Sequence, residues 1–561
     1  MNRKKVQDFY RKRLSRSALL KRRLKLQDLS HQHKKFIIVQ VDGLSYSLLQ
    51  QLRNTRYIPF LTKLLKSYHV ARFDPGYPST TPFVQAGIMY NENSNIPGFR
   101  FLDKKNQKQY VMGTADSARA IEEEISAKNY GILTGGTSIG NIFCGGAARS
   151  IITVAHLYKT ETGQKNLRDI LALILLNPFA TTKVIFSSCI EFCVELYESS
   201  LEILKGLLYN KHFNWPFIFP YFPFFRTFIN ATVREISTET ALLEMQRNVP
   251  CIYLTYGGYD WISHYRGPNS LSAFTLLKGI DADLRRMYKV ARKNEYDFYV
   301  LSDHGQVPAI PFDRLYYESF ETFVERISHL PTKGLHSDQD ERSSRMKYIY
   351  YKLHYYYEHM SFPLRIGIHA LLKYMGRQLR KEHKDPSIDW KNRKQILMLY
   401  SSSLAQMYFT DSAHRCDISE IEKKYPGFVE KLVGHPGVGF AIGKEGKDII
   451  VLHAKGKVIL TDKDVKFVGE RFLQKYGDEK KLVKQIKYFA ELKYSGDLII
   501  NGAFDGERII AFEHFHFGSH DSIGGRQCDA FFISRDKISL DHVLNAKELY
   551  HIFLAYHTAK K

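Results

Sequence analysis

Three short apolar runs, each closed by an acidic residue, restrict the folds open to this chain more than any other feature. They are "FIIVQVDG" with Asp42, "CIYLTYGGYD" with Asp260 and "DFYVLSDHG" with Asp303. Short runs of mostly β-branched or aromatic residues read as strands buried on both faces. Helical periodicity lies between them, most clearly in "SAFTLLKGIDADLRRMYKVARK", residues 272–293. Strands alternating with helices imply an α/β fold on a mostly parallel central sheet flanked by helices. In such sheets functional side chains gather beyond the carboxyl ends of the strands, and all three acids fall there. With 44% hydrophobic and 25% charged residues in 561, the chain has ordinary globular usage and room for one large domain with insertions.

No internal repeat is visible. The main α/β pattern is expected over residues 36–535, with insertions at about 165–232 and 331–395 and a C-terminal helical segment at 536–561. The first insertion contains "DILALILLNPFATTKVIF" and "WPFIFPYFPFFRTF". Asn177, Pro178 and Lys183 interrupt the one and three prolines break the other, so neither is a clean membrane span. An aromatic hairpin at a lipid interface and a lid or dimer contact are both open readings. The second insertion mixes basic and aromatic residues at helical spacing, which suits an interface helix or an ordinary helical subdomain.

The net charge is +23, and residues 1–35 alone carry thirteen Lys/Arg against two Asp. Leucines recur among those charges as in an amphipathic helix on an anionic membrane, although a solvated basic helix fits equally. Polyanions are the natural partners of such a chain. The arm has few aromatics to stack on bases, so no specific nucleic acid is expected. Six cysteines without a CxxC pair imply neither a disulfide framework nor a zinc knuckle, and point to a reducing, cytoplasmic-side location with possible peripheral membrane contact.

Chemistry concentrates at the strand ends. Asp42 alone is weak, because Asp-Gly is a common turn. Asp260 and His264 stand four apart, which on a helical turn puts both on one face. Asp303 and His304 are adjacent just beyond a buried strand. Three strand ends supplying Asp, Asp/His and Asp/His make a mixed N/O donor set suited to zinc, with manganese as the alternative.

The ordered segments "VDGLS", "PSTTPF", "YDWISHYRGP", "LSDHGQ", "HPGVGF" and "GSHDSIGG" resemble the alkaline phosphatase superfamily, and within it the type I phosphodiesterase/nucleotide pyrophosphatase branch. That resemblance implies two divalent ions close together. Asp260, His264 and His520 would hold one; Asp42, Asp303 and His304 would hold the other, beside a nucleophilic hydroxyl that aligns with Thr81. His520 is preferred to His514 and His516, which alternate along an expected strand in "EHFHFGSHDS". Two departures stand out. Asp521 follows His520 where the family has glycine, and would accept from that imidazole. The asparagine that binds a phosphoryl oxygen in nucleotide pyrophosphatases is missing from "NIPGFRFLDK", where Arg100 is either the substrate contact or a structural surface arginine.

In "GYPSTTPFVQAG", Pro82 suits the first helical position, which makes Thr81 the N-cap. A helix N-terminus also attracts phosphate, so a cap position and a nucleophile are compatible. The expectation is therefore a metal-dependent phosphoric ester hydrolase of phosphodiesterase type, in which Thr81 is phosphorylated and then released by water. Phosphodiester substrates are expected, and the aromatic, basic insertions suggest a membrane-associated or lipid-linked one. The alternatives are a phosphomonoesterase, phosphonate hydrolase or phospho-group transferase on the same core. From another class comes a basic membrane-surface or nucleic-acid-binding protein with a degenerate site.

Overall fold

The computed structural model describes residues 34–157, 178–209, 221–336 and 394–558. The seven strands of its main sheet, numbered along the chain, are β1 (Lys35–Val41), β2 (His69–Phe73), β3 (Thr137–Ile139), β4 (Arg149–Ile151), β5 (Cys251–Tyr256), β6 (Tyr296–Leu301) and β7 (Ala530–Ser534). Their order is β2-β7-β6-β1-β5-β3-β4. β1 lies parallel to both β5 and β6, and only β7 runs against its neighbours. This is the mostly parallel sheet expected from the apolar runs. Val41 is level with Tyr256, and Gln40 with Leu301. The three acid-bearing ends therefore finish together.

Five helices matter for the site: α1 (Thr81–Tyr90), α2 (Pro178–Tyr209), α3 (Tyr221–Gln246), α4 (Gly258–Arg266) and α5 (Leu271–Lys293). The periodic segment at 272–293 is α5, begun by Ser270, whose Oγ accepts from the Ala273 amide. One face of the sheet packs Ile37, Val39, Ile252, Leu254 and Val300 against Leu276, Ile280, Leu284 and Met287 of α5. The opposite face buries Ile38, Tyr253 and Leu301 with Phe83, Val84 and Met89 of α1.

The sequence reading anticipated one sheet, and the structure has a second large one. Eight strands, mostly antiparallel, run in the order 332–335, 396–401, 404–409, 498–502, 438–445, 448–453, 456–460, 465–469. Tight hairpins build it, such as the turn at Gly446, whose φ of +61° suits glycine. Residues 332–335 thus belong to this sheet rather than to an insertion, and 337–393 lie outside the described residues. The expected N-terminal amphipathic segment also lies outside them, except Lys34 and Lys35, where β1 starts.

Of the first insertion, 165–177 and 210–220 lie outside the described residues. The rest is the helix pair α2 and α3, packed on α5. Pro223 falls in the first turn of α3, where a missing amide costs little. Among the described residues no helix is long and apolar enough to cross a membrane. The three helices are tied by buried ion pairs. Arg234 of α3 lies 2.8 Å from Glu191 of α2 and 3.4 Å from Asp283 of α5. Lys183 of α2 meets Glu235 at 2.6 Å and also contacts Asp283. The last described residues form a helix at Tyr550–Thr558.

Removing one partner of a buried pair leaves uncompensated charge. Arg234→Ala is expected to cost about 3–5 kcal/mol, read as a lower urea midpoint, whereas an exposed pair such as Lys493–Glu124 should change it little.

Candidate active site

The site assembles beyond the ends of β1, β5 and β6. Asp42 follows β1 directly, Asp303 and His304 follow β6, and Asp260 sits in the first turn of α4, which starts just past β5. Gly43, at φ +74°, keeps this approach open: a Cβ there would lie 2.7 Å from Asp260 Oδ1. On α4 the i, i+4 spacing brings His264 Nε2 to 3.3 Å from Asp260 Oδ2.

His520 arrives from far along the chain for a topological reason. The strand Val307–Pro311, immediately after His304, pairs antiparallel with Gly518–Ser519. That ladder lays the His520 ring over His304, with centroids 3.9 Å apart. The segment before it is a bend, not the strand expected from the alternation of His514 and His516, with Phe515 at φ +116°. Those two histidines do find structural partners. His514 Nδ1 is 3.1 Å from Asp313, while His516 Nδ1 is 2.9 Å from Ser402 Oγ and its ring packs on His264.

Two groups of potential ligand atoms result, Asp42/Asp303/His304 and Asp260/His304/His520, each with its atoms within 4.8 Å of one another. His264 joins the second through its Nε2, 3.0 Å from that of His520. Each imidazole has Nδ1 beside a backbone oxygen: His264 at Gly518 (2.9 Å), His304 at Gly305 (3.2 Å) and His520 at Ser79 (3.2 Å). A proton held at Nδ1 turns the Nε2 lone pairs toward the carboxylates. Asp303 Oδ2 is buried with no hydrogen-bond partner. Converging lone pairs and an orphaned carboxylate oxygen fit a divalent cation.

The electrostatics agree. Burial pushes the Asp260 carboxyl up, but the charges of His264 and His520 outweigh it and hold it well below the usual carboxylate range. Burial also lowers His304, despite Asp303 beside it. His520 is the exception: burial lowers it, yet Asp521 and Asp260 together raise it to about 10. Asp521 Oδ1 lies 2.8 Å from His520 Nδ1, and the residue takes φ +78°, a backbone that favours glycine.

Thr81 differs from its expected place by one position. Val84 N donates to Thr80 O, so the helix ladder begins at Thr80, and Thr81 is the first helical residue rather than the cap. Its hydroxyl does no capping; it lies 3.1 Å from His304 Nε2 and donates to Asp42 Oδ1 at 3.4 Å. Thr81 is the one residue of α1 that is not buried. One turn along, Gln85 is fully buried and fastens α1 to the sheet. Its Nε2 donates to Gln40 Oε1 and Thr255 Oγ1, and its Oε1 accepts from Ile142 N.

All seven proposed ligand and nucleophile positions thus converge. Arg100 is buried, and its charge lowers the Glu513 carboxyl. The sequence reading also missed Gln85, Gln306, which donates to Asp260 O at 3.0 Å, and the serine turn 401–403. Ser403 Oγ donates to His520 O and pairs with Ser522, bracing the histidine loop. Gln306 was in view inside "LSDHGQ"; the serines carried no local signal.

The family model for type I phosphodiesterase/nucleotide pyrophosphatase matches residues 36–361, more than half of the chain. The chain belongs to that family. It is an enzyme of phosphoric ester hydrolysis, metal-dependent as the family is, for phosphate-ester or nucleotide substrates. No curated protein matches it. Among solved structures it is similar to an inactive variant of murine ectonucleotide pyrophosphatase/phosphodiesterase 5 in complex with AMP, at 10% identity and a TM-score of 0.45 over 94% of this chain and 96% of that one. It is also similar to phosphonoacetate hydrolase from Sinorhizobium meliloti 1021 in complex with phosphonoformate, at 11% identity and a TM-score of 0.43 over 93% and 96%.

Behind the site of this phosphodiesterase-family chain lies a second buried charge group. His336 Nε2 is 2.8 Å from Glu321 and its Nδ1 is 3.1 Å from Glu513. Burial opposes the charge on His336, but the bonds to Glu321 and Glu513 raise it to about 10. Burial likewise opposes both carboxylates, which the bond to His336 lowers to about 2. The His336 contribution is fully present below its ordinary value of 6.5 and is lost as pH rises through about 10. The carboxylate contributions are present above 4.5 and lost as pH falls toward about 2. Melting temperature should therefore fall between pH 6.5 and 10, and less steeply in His336→Gln; equal slopes would contradict this assignment.

Proposed function

We propose that this enzyme hydrolyses phosphodiesters with Thr81 as nucleophile and two divalent ions. The observation that carries the reading is the Thr81 hydroxyl, set between Asp42 and His304 on the only unburied residue of α1. Asp260, His264 and His520 would hold one ion, and Asp42, Asp303 and His304 the other; the N/O donor chemistry favours zinc, then manganese. When bound, such a pair supplies positive charge to the phosphoryl oxygens and makes a neighbouring hydroxyl more acidic.

The chain's own residues do the rest. The Thr81 proton has the Asp42 carboxylate as acceptor while the bond from Oγ1 to phosphorus forms and the bond to the leaving oxygen breaks in line. Amides in the first turn of α1 and the positive end of its dipole favour the added negative charge. Water then cleaves the phosphothreonine, regenerating the hydroxyl. Asp521 fixes the His520 ring and Gln306 fixes Asp260, so both ligands are oriented before substrate arrives. Within the phosphodiesters we favour an ester presented at a membrane surface on the cytoplasmic side, which the basic charge and the six unpaired cysteines support.

Thr81→Ala should lower the hydrolysis of bis-p-nitrophenyl phosphate by at least about a thousandfold, with the melting temperature retained. Wild-type protein quenched in turnover should carry a phosphoryl group on the peptide containing Thr81; a variant as active as wild type sinks the mechanism. Chelation should abolish activity and zinc or manganese restore it. Elemental analysis should give roughly two ions per chain in wild type and one in His264→Ala; an unchanged metal content in that variant excludes the proposed ligand set.

A further inference from the structure

Helix α2 is inside out. Apart from Val184, its described buried positions are polar: Ser188, Glu191, Glu195 and Ser199 all face the protein. Glu191 meets Arg234 of α3, Glu195 meets Arg266 of α4 at 2.6 Å, and Glu198 accepts from the Leu271 amide that opens α5. The solvent side is apolar, with Phe186 65% exposed, Tyr197 57%, Ile185 and Leu204 54% and Ile190 43%. Every exposed position from Thr182 to Leu201 is uncharged. An ordinary surface helix has the reverse arrangement, with apolar residues inward and charges in water. Exposed apolar patches of this kind mark interaction surfaces.

We propose that this face of α2 docks on an anionic phospholipid bilayer. Three observations favour lipid over a second copy of the chain. The exposed stripe Phe186, Ile190, Cys193, Tyr197, Leu201, Leu204 steps by four and three residues with the α-helical average, so it runs straight along one side of the helix. A flat interface needs that shape, whereas a seam between two helices repeats every 3.5 residues and winds. The stripe also carries no charge to fix a partner's register, which protein pairs generally use for specificity. Finally, the chain's net charge of +23, with thirteen Lys/Arg and two Asp in residues 1–35, complements anionic headgroups. Along the sequence α2 is flanked by apolar and aromatic stretches, "DILALILLN" and "FNWPFIFP".

The docking face is linked to the chemistry through the polar side of the same helix. Arg266, held by Glu195 and Ser199, closes the helix that carries Asp260 in its first turn and His264 in its last. α2 runs antiparallel to α5, with Lys183 beside Asp283 and Glu198 beside Leu271, so its later turns approach the end of the sheet where the site lies. A phosphodiester at the bilayer surface would be met there. This part rests on the proposed phosphodiesterase reading; lipid binding itself does not, so the two fail separately.

The test uses the full-length wild-type chain and Phe186→Glu/Tyr197→Glu, with flotation on vesicles of phosphatidylcholine containing phosphatidylglycerol and on phosphatidylcholine alone. Wild type should float with the anionic vesicles, and the double variant should partition at least about tenfold more weakly. Its hydrolysis of soluble bis-p-nitrophenyl phosphate should stay within about twofold of wild type, and Phe186→Leu/Tyr197→Phe should bind as wild type does. If the double variant loses its circular dichroism, Ile190→Gln/Leu204→Gln makes the same comparison. Failure of wild type to float, or vesicle binding unchanged in a folded variant, overturns the proposal. So does a wild-type dimer by light scattering that the variant converts to monomer with lipid binding intact.

Discussion

Asp42, Asp260 and Asp303 are forced together by parallel strand register, and the rest of the site is arranged around that concentration of charge. Like-charged carboxylates at this range raise one another's free energy unless cations or donors intervene. Three imidazoles surround them, each turned by a backbone oxygen at Nδ1 so that Nε2 faces inward. Gly43 permits the approach of Asp260, and Asp521 accepts a strained backbone to orient His520. Such strain is tolerated where neighbouring structure over-determines the conformation, as it does at functional sites.

The helix that carries Thr81 is fixed by the same economy of polar contacts. Gln85, Gln40, Thr255 and Asn141 form a buried network in which Gln85 donates to the other three side chains, and this sets the height of α1 above the sheet. Thr81 then lies over the acids rather than over its own backbone amides. On the other face of the sheet, the buried charges of α2 are satisfied by α3, α4 and α5, which frees its apolar residues to face outward. Polar satisfaction decides the orientation in both places.

Much of the site was legible because its signals are local. A strand end followed by Asp, an i, i+4 Asp/His pair and a hydroxyl before proline each need only a few residues to be recognised. The site depends also on contacts that leave no local mark. His520 was legible only through resemblance to a family, since what brings it to His304 is a two-residue antiparallel ladder between segments far apart in sequence. The reading of "EHFHF" as a strand failed because alternation over so few residues does not separate a strand from a bend. Arg100 carries no sequence signal of its burial, and its charge acts on Glu513 from within the protein.

What this sequence determined by itself is the parallel α/β sheet, the collection of acids at its carboxyl edge and the hydroxyl opposite them, because strand periodicity and chain direction dictate where those residues emerge. Only the tertiary structure decided that Thr81 is the first residue of its helix rather than its cap, that the carboxy-terminal half builds a second sheet, and that α2 turns its charges inward. Each of these depends on which distant polar group is within hydrogen-bonding reach, and a linear sequence carries no measure of that distance.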